Sequence, residues 1–183
     1  MKRILLIFLI IAGSITAQAQ DGKPTKEQTV EYILNKLNSK TNFEWVADSE
    51  NGTYRKSETT VFIFNKGFSI NNCILKFSTT IKTKVENYTQ NTVEEKLRSE
   101  DYEVDLSKCE SIGWRIAPLY NRSPGNYFLT FYSTNESNVF KKNGEKLSKV
   151  SLSIDEVISL DSKTYKAFNH LRKLCGAPEP IEF

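Results

Sequence analysis

The single histidine and the three cysteines are the side chains best suited to nucleophilic or metal chemistry in this chain. His170 is the only imidazole, which excludes zinc sites built from two or three histidines and the H-E-x-x-H motif of metalloproteases. A Cys–His nucleophile would need His170 to activate Cys73 or Cys109, and neither cysteine lies at a predicted helix N-terminus, where a low thiol pKa is expected. His170 lies at the edge of the apolar face of the last predicted helix, so we predict a partly exposed structural residue.

Three carboxylates, Asp101, Glu103 and Asp105, alternate along one predicted strand and therefore share a face. Carboxylates this close could bind a cation or act as an acid and base pair, because one carboxyl raises the pKa of another. No loop of oxygen ligands with a turn glycine accompanies them, as a calcium site requires, so we interpret them as the solvent side of an amphipathic strand. The chain also lacks a G-x-S-x-G elbow, a phosphate loop and a dinucleotide-binding turn. We predict no catalytic residue, no metal site and no cofactor.

Aromatic residues in the second half of the chain are the candidate ligand-binding groups. Tyrosine and arginine near loops suit recognition of peptides or sugars. The candidate ligand-binding residues are Tyr120, Arg122, Tyr127 and Tyr132. The alternative interpretation is that these aromatics are core residues, since aromatic side chains are enriched in strands.

The odd number of cysteines allows at most one internal disulfide. A bridge between Cys73 and Cys109 is one hypothesis, with Cys175 as a buried thiol on the last helix. The other is that all three cysteines are small buried hydrophobic residues, as free cysteines in protein cores usually are.

The first nineteen residues have the pattern of an export signal. Lys2 and Arg3 precede an apolar run over residues 4–12, and Ala17 and Ala19 are the small residues that a signal peptidase recognises. The run is too short to span a bilayer, which takes about 20 apolar residues. We therefore predict a signal peptide over residues 1–19, no transmembrane segment in the mature chain, and a periplasmic or secreted protein that begins at Gln20.

Residues 20–183 have the length of one ordinary domain with a substantial core. The 25 basic side chains include Lys2 and Arg3, so 23 remain in the mature chain against 22 acidic ones. Because nucleic-acid binders depend on concentrated positive charge, this balance argues against a nucleic-acid partner.

The elements that would position these side chains follow from periodicity and turn residues. Thr25 and Gln28 form a capping box before an apolar helical stripe, and a second helix is predicted over residues 162–175 with Gly176 as its stop. Between them the apolar period is mostly two, which indicates strands, with a buried strand over residues 61–64 and a central one over residues 127–132. Asn51-Gly52, Ser123-Pro124-Gly125 and Asn143-Gly144 indicate turns. Thr92 and Glu95 repeat the capping-box spacing, so a short helix is predicted over residues 93–98.

The predicted order of elements is a helix, a series of strands connected by hairpins, and a second helix. Without alternation of strands and helices a parallel sheet is not expected. The prediction is an α+β domain with a curved antiparallel β-sheet or partial barrel, similar in element order to a pleckstrin-homology-type barrel and flanked by an N-terminal and a C-terminal helix.

Two segments resemble small uncharacterised exported proteins of the Bacteroidota. They are the signal ending Ala17-Gln18-Ala19-Gln20 and residues 165–176, YKAFNHLRKLCG. The resemblance implies a bacterial periplasmic or secreted location, and it supplies no activity and no functional residues.

The function predicted from these patterns is an exported, soluble, non-catalytic binding or interaction domain, whose partner is a protein, a peptide or a small molecule. One alternative is a carrier that holds a small apolar ligand in a β cup lined by aromatic strands. The other is a hydrolase whose carboxylate or cysteine chemistry follows no familiar motif.

Overall fold

The computed structural model describes residues 22–39, 42–51, 54–116, 127–133, 137–154 and 162–179. Within these ranges two α-helices flank nine strands arranged in two antiparallel sheets. The helices are α1 (Lys26–Ser39) and α2 (Lys163–Leu174). The sheets do not close into a barrel, and the predicted α+β class with antiparallel sheets flanked by helices is confirmed. Neither helix is long and apolar enough to cross a membrane.

Helix α1 begins with the predicted capping box. The Thr25 N–H donates to Gln28 Oε1 at 2.9 Å, and the Gln28 N–H donates to Thr25 Oγ1 at 3.3 Å. These two bonds satisfy backbone donors that the first turn of a helix leaves open. Further along the helix, Ile33 and Leu37 are buried in the core. The predicted apolar face is therefore the face that packs.

The larger sheet consists of four long strands and one short hairpin. The strands lie in the order β1-β2-β3-β4-β7-β8. They are β1 (Asn42–Asn51), β2 (Tyr54–Asn71), β3 (Ile74–Asn87), β4 (Thr92–Asp105), β7 (Phe140–Lys142) and β8 (Glu145–Leu147). The predicted turn at Asn143-Gly144 joins β7 to β8, with both residues at positive φ. The turn predicted at residues 51–52 falls between β1 and β2, where residues 52–53 lie outside the described ranges.

Two expectations about this sheet are wrong. Residues 93–98 belong to strand β4 and not to a helix, because β4 pairs with β3 without interruption from Thr92 to Asp105. The strand predicted to stop after residue 64 continues through a bulge between Lys66 and Ser69, where Gly67 has φ +68°. Glycine adopts this left-handed conformation without the steric cost of a Cβ, so the chain bends there and pairing resumes.

The smaller sheet has the order β5-β6-β9. Its strands are β5 (Cys109–Ile116), β6 (Tyr127–Ser133) and β9 (Lys149–Ile154). The prediction that residues 127–132 form a central strand is confirmed, because β6 pairs on both sides. Strand β9 pairs with β6, and the strand that returns from the turn at residues 143–144 is the short β8.

The core lies where the two sheets and helix α2 meet. Ser162 caps α2 by accepting the Tyr165 N–H at 3.2 Å, and Gly176 follows the helix with φ +80°. Phe168 and Leu171 of α2 are fully buried, whereas Leu174 is 41% exposed. Around them lie side chains from both sheets: Leu75, Phe77, Val104, Leu106, Ile112, Leu129, Phe131, Phe140, Val150 and Leu152.

The disulfide joins Cys73 to Cys175, which corrects the hypothesis of a Cys73–Cys109 bridge. Cys73 lies in the tight turn between β2 and β3, and the C-terminal end of α2 lies beside it, with a Cα–Cα distance of 5.8 Å. Cys109 is a free, fully buried thiol at the start of β5. The sequence alone did not distinguish the possible pairings. The bonded cysteines are 102 residues apart, and only the fold brings them together.

Candidate functional site

Of the four predicted ligand-binding residues, the structure describes two, Tyr127 and Tyr132. Tyr120 and Arg122 lie outside the described residues. Tyr127 is half-buried and packs against the core, whereas Tyr132 is 42% exposed. Five positions along β6 separate the two tyrosines, so they lie on opposite faces of the smaller sheet. Tyr132 covers Gly113, where an added Cβ would lie 3.0 Å from the tyrosine ring.

The cysteines and His170 are engaged in structural contacts. Cys73 is oxidised in the disulfide. Burial raises the pKa of the Cys109 thiol to about 12, and its Sγ donates to the Ser111 carbonyl at 3.2 Å. His170 Nε2 lies 2.8 Å from the carbonyl oxygen of Pro24 and so links α2 to the segment before α1. A protonated, buried thiol is a poor nucleophile, since the thiolate is the reactive form.

The alternating carboxylates of β4 lie in ion pairs and hydrogen bonds. Glu103 lies 3.4 Å from Lys76 and 3.4 Å from Lys141. Partial burial opposes its ionisation, but the two ammonium groups outweigh that cost and lower the Glu103 pKa. Asp105 accepts from Ser107 Oγ at 2.6 Å and caps the short 3-10 turn that follows β4. No group of three acidic, histidine or cysteine side chains suited to a metal ion occurs in the described ranges.

A buried carboxylate on the opposite face of β4 is a feature that the sequence did not reveal. Glu100 lies 2.8 Å from the Lys142 ammonium and accepts the Tyr102 hydroxyl at 2.5 Å. Burial raises the Glu100 pKa, but the bonds from Lys142 and Tyr102 outweigh it and the net pKa is lowered. Burial and the nearby Glu100 raise the Tyr102 pKa. The cluster ties β4 to β7.

Another buried polar group connects the two sheets. Asn65 Nδ2 donates to the Ser153 carbonyl at 2.9 Å, and Thr79 Oγ1 donates to Asn65 Oδ1 at 2.7 Å. All three residues are buried. Satisfied buried polar groups of this kind orient packed elements, because a misaligned arrangement would leave a donor or acceptor unpaired.

Arg172 is a buried cation that clamps the end of α2. It is 1% exposed, and its guanidinium donates to Asn169 Oδ1 at 3.2 Å, to the Cys109 carbonyl at 3.2 Å and to the Pro178 carbonyl at 2.7 Å. Three neutral oxygens from separate segments thus converge on one side chain. These contacts position β5 and the segment after α2, so we assign Arg172 a structural role.

A groove of about 390 Å³ runs between α1 and α2. Its surface is almost wholly apolar, and its charged lining residues are two lysines. The lining comprises Pro24, Gln28, Thr29, Tyr32, Lys163, Lys166, Ala167 and His170. The volume falls within the range of about 300–1,000 Å³ that is usual for small-molecule sites. We call this feature the helix groove.

A second groove, of about 570 Å³, lies on the other side of α1. It is lined by Lys26, Glu27, Val30, Glu31, Leu34, Asn35, Ile70, Asn71 and Asn72. Charges of both signs and amides line it, so it has no single chemical preference. The helix groove is more apolar and its charged lining residues have one sign, so it is the more selective site.

No protein-family model, no curated protein and no solved structure matches this chain.

Proposed function

We propose that this protein is an exported, non-catalytic domain that binds a small amphiphilic carboxylate in the helix groove. The observation that carries the proposal is an apolar groove of ligand size whose charged lining groups are lysines. Sites for small ligands are typically apolar clefts with a few polar groups that set orientation.

The chemistry of the groove suggests how such a ligand would lie. Tyr32 of α1 and Ala167 of α2 offer apolar surface for an alkyl or aromatic body. Lys163, in the exposed first turn of α2, offers an ammonium group to the carboxylate. Lysine side chains contribute apolar stems as well as charge, so they suit the boundary between body and head group. The 2.8 Å contact between His170 Nε2 and the Pro24 carbonyl oxygen joins the two sides of the groove.

The groove also bears on the two alternative functions. A carrier with a β cup would place its cavity inside the sheet, whereas the helix groove is formed by helices. A cysteine hydrolase would need an accessible thiolate, whereas Cys109 is buried with a raised pKa and Cys73 is in a disulfide. A non-catalytic binding role is therefore the function that these contacts support best.

Titration of the protein with dodecanoate, with calorimetry to measure binding, tests the binding proposal. We expect saturable binding that weakens about tenfold in Ala167→Trp, which fills the groove, and by a smaller factor in Lys163→Glu, which reverses the charge. Dodecanol should bind more weakly than dodecanoate because it lacks the negative charge.

Lys149→Glu makes the same charge change on β9, where the residue is exposed outside the groove, and should leave dodecanoate affinity unchanged. Absence of binding, or equal affinity in the wild type and in a folded Ala167→Trp variant, would overturn the proposal.

Export is proposed from the first nineteen residues, and the Cys73–Cys175 disulfide supports it, because structural disulfides persist mainly in oxidising compartments. We expect N-terminal sequencing of protein recovered outside the cytoplasm to begin at Gln20. Ala19→Arg should block this cleavage, whereas Gln20→Asn should not, because the peptidase recognises the small residue before the cut. Recovered protein that still begins at Met1 would refute processing.

A further inference from the structure

Within the described part of the chain, strand β4 has an outer edge that is unpaired over most of its length. On its inner side it pairs with β3 throughout, but on its outer side β7 pairs only with Tyr102 and Glu103. No other described strand continues that pairing, and residues 92–99 are exposed. Val93 and Leu97 in this stretch are 59% and 70% exposed, respectively, which is more than any other large hydrophobic residue in the described ranges. We call residues 92–99 the β4 edge.

The hydrogen-bonding direction of the β4 edge follows from Asp101. The Asp101 N–H donates to Asn143 Oδ1 at 2.7 Å, and the Asp101 carbonyl accepts the Asn143 N–H at 2.8 Å. Both backbone groups of Asp101 therefore point outward, toward β7. Because these directions alternate along an antiparallel strand, residues 93, 95, 97 and 99 present their N–H and C=O groups to the open edge.

We propose that the β4 edge pairs with the β4 edge of a second copy of this chain, in antiparallel register about a twofold axis at Glu95. Edge strands are templates for such pairing, and a twofold contact applies the same surface to itself. In this register Val93 lies opposite Leu97 of the other copy, and Leu97 lies opposite its Val93. On the other face, Glu94 lies opposite Lys96 in the same reciprocal manner. The edge thus complements itself in both apolar contact and charge.

Shifted registers lose this complementarity. An axis at Lys96 places two Lys96 side chains opposite each other and pairs Leu97 with Glu95. An axis at Glu94 pairs Glu94 with itself, and an axis at Leu97 pairs Lys96 with Arg98. Like charges directly opposite in a sheet are destabilising, whereas opposite charges and apolar pairs are favourable. The register centred on Glu95 is the one that combines two apolar pairs with two ion pairs.

One unfavourable contact in the proposed register is offset within each chain. The two Glu95 residues face each other at the axis, but Glu95 lies 3.0 Å from Lys82 on the neighbouring strand β3. Each carboxylate therefore arrives with its own counter-ion. The partner strand also fits the available length, because its Thr92 lies opposite Arg98 and pairing ends before Asp101, where Asn143 occupies the edge.

Sedimentation of variants in which the charge at position 94, at position 96 or at both is reversed tests the proposal. We expect the wild-type chain to form a weak dimer, detectable above about 100 µM, since the interface is small. Glu94→Lys and Lys96→Glu should each weaken dimerisation at least about tenfold, because each places like charges opposite one another twice. An equimolar mixture of the two variants should form a heterodimer, and the chain carrying both changes should dimerise like the wild type.

Glu145→Lys is a matched control, because it makes the same charge change on the exposed strand β8 and should leave dimerisation intact. Both test positions are exposed, so the variants should retain the wild-type melting temperature. A monomeric wild type at millimolar concentration, or single variants that dimerise like the wild type, would overturn the proposal. Failure of the two single variants to associate when mixed would overturn the register.

Discussion

Replacing Cys175 with serine is expected to lower the free energy of unfolding by about 2–5 kcal/mol. The bond it removes joins residues that are 102 positions apart, and a cross-link over a loop of that length strongly restricts the unfolded chain. In the folded protein the same bond fastens the end of α2 to the turn between β2 and β3. Urea denaturation under oxidising conditions measures the loss.

The disulfide prediction has an internal control. Cys73→Ser, Cys175→Ser and the double variant should be destabilised by similar amounts, because all three remove one bond and the effects do not add. Cys73 has φ +66°, so Cys73→Gly should lose less stability than Cys73→Ala, by up to about 1 kcal/mol. Wild-type protein in reductant should resemble the variants. Three reactive thiols in unreduced, denatured wild-type protein would show that the bond is absent.

Replacing Phe168 with alanine is expected to cost about 3–5 kcal/mol of stability. Phe168 is fully buried on α2, and its ring meets the Phe131 ring of β6 edge-on, with the ring centres 5.4 Å apart. Truncation leaves a cavity at the junction of α2 and the smaller sheet and removes the aromatic contact. The shift of the denaturant midpoint, at unchanged slope, measures this loss.

Lys166→Ala, two positions earlier on α2, is the control for Phe168→Ala. Lys166 is exposed, so its truncation should cost about 0.5 kcal/mol or less. Equal midpoints for the two variants would mean that α2 does not dock through Phe168.

Two segments with the capping-box spacing show when local sequence signals predict the structure and when they do not. Thr25 and Gln28 are followed by an apolar stripe that α1 buries, so local and long-range preferences agree there. Thr92 and Glu95 have the same spacing, but Val93 and Leu97 remain exposed and the segment forms a strand. Strand β3 provides a continuous hydrogen-bonding partner for those residues, and this long-range pairing overrides the local preference.

The candidate sites depend on tertiary structure to a greater extent than the individual helices and strands do. The helix groove requires α1 and α2 to meet, and its Pro24–His170 contact joins residues 146 positions apart. The β4 edge is open because β7 pairs with only two residues of β4, which no pattern within β4 indicates. Tyr127 and Tyr132, close in sequence, lie on opposite faces because a strand alternates its side chains.

By itself the sequence determined both helices, the central strand at residues 127–132, the turn at Asn143-Gly144 and the α+β class. These features depend on periodicity and on hydrogen bonds between residues a few positions apart, which are legible in a short window. Only the tertiary structure decided the Cys73–Cys175 pairing, the buried contacts of Glu100 and Arg172, and which surfaces remain open. Those outcomes depend on which distant segments come together, and many different folds can satisfy the same local signals.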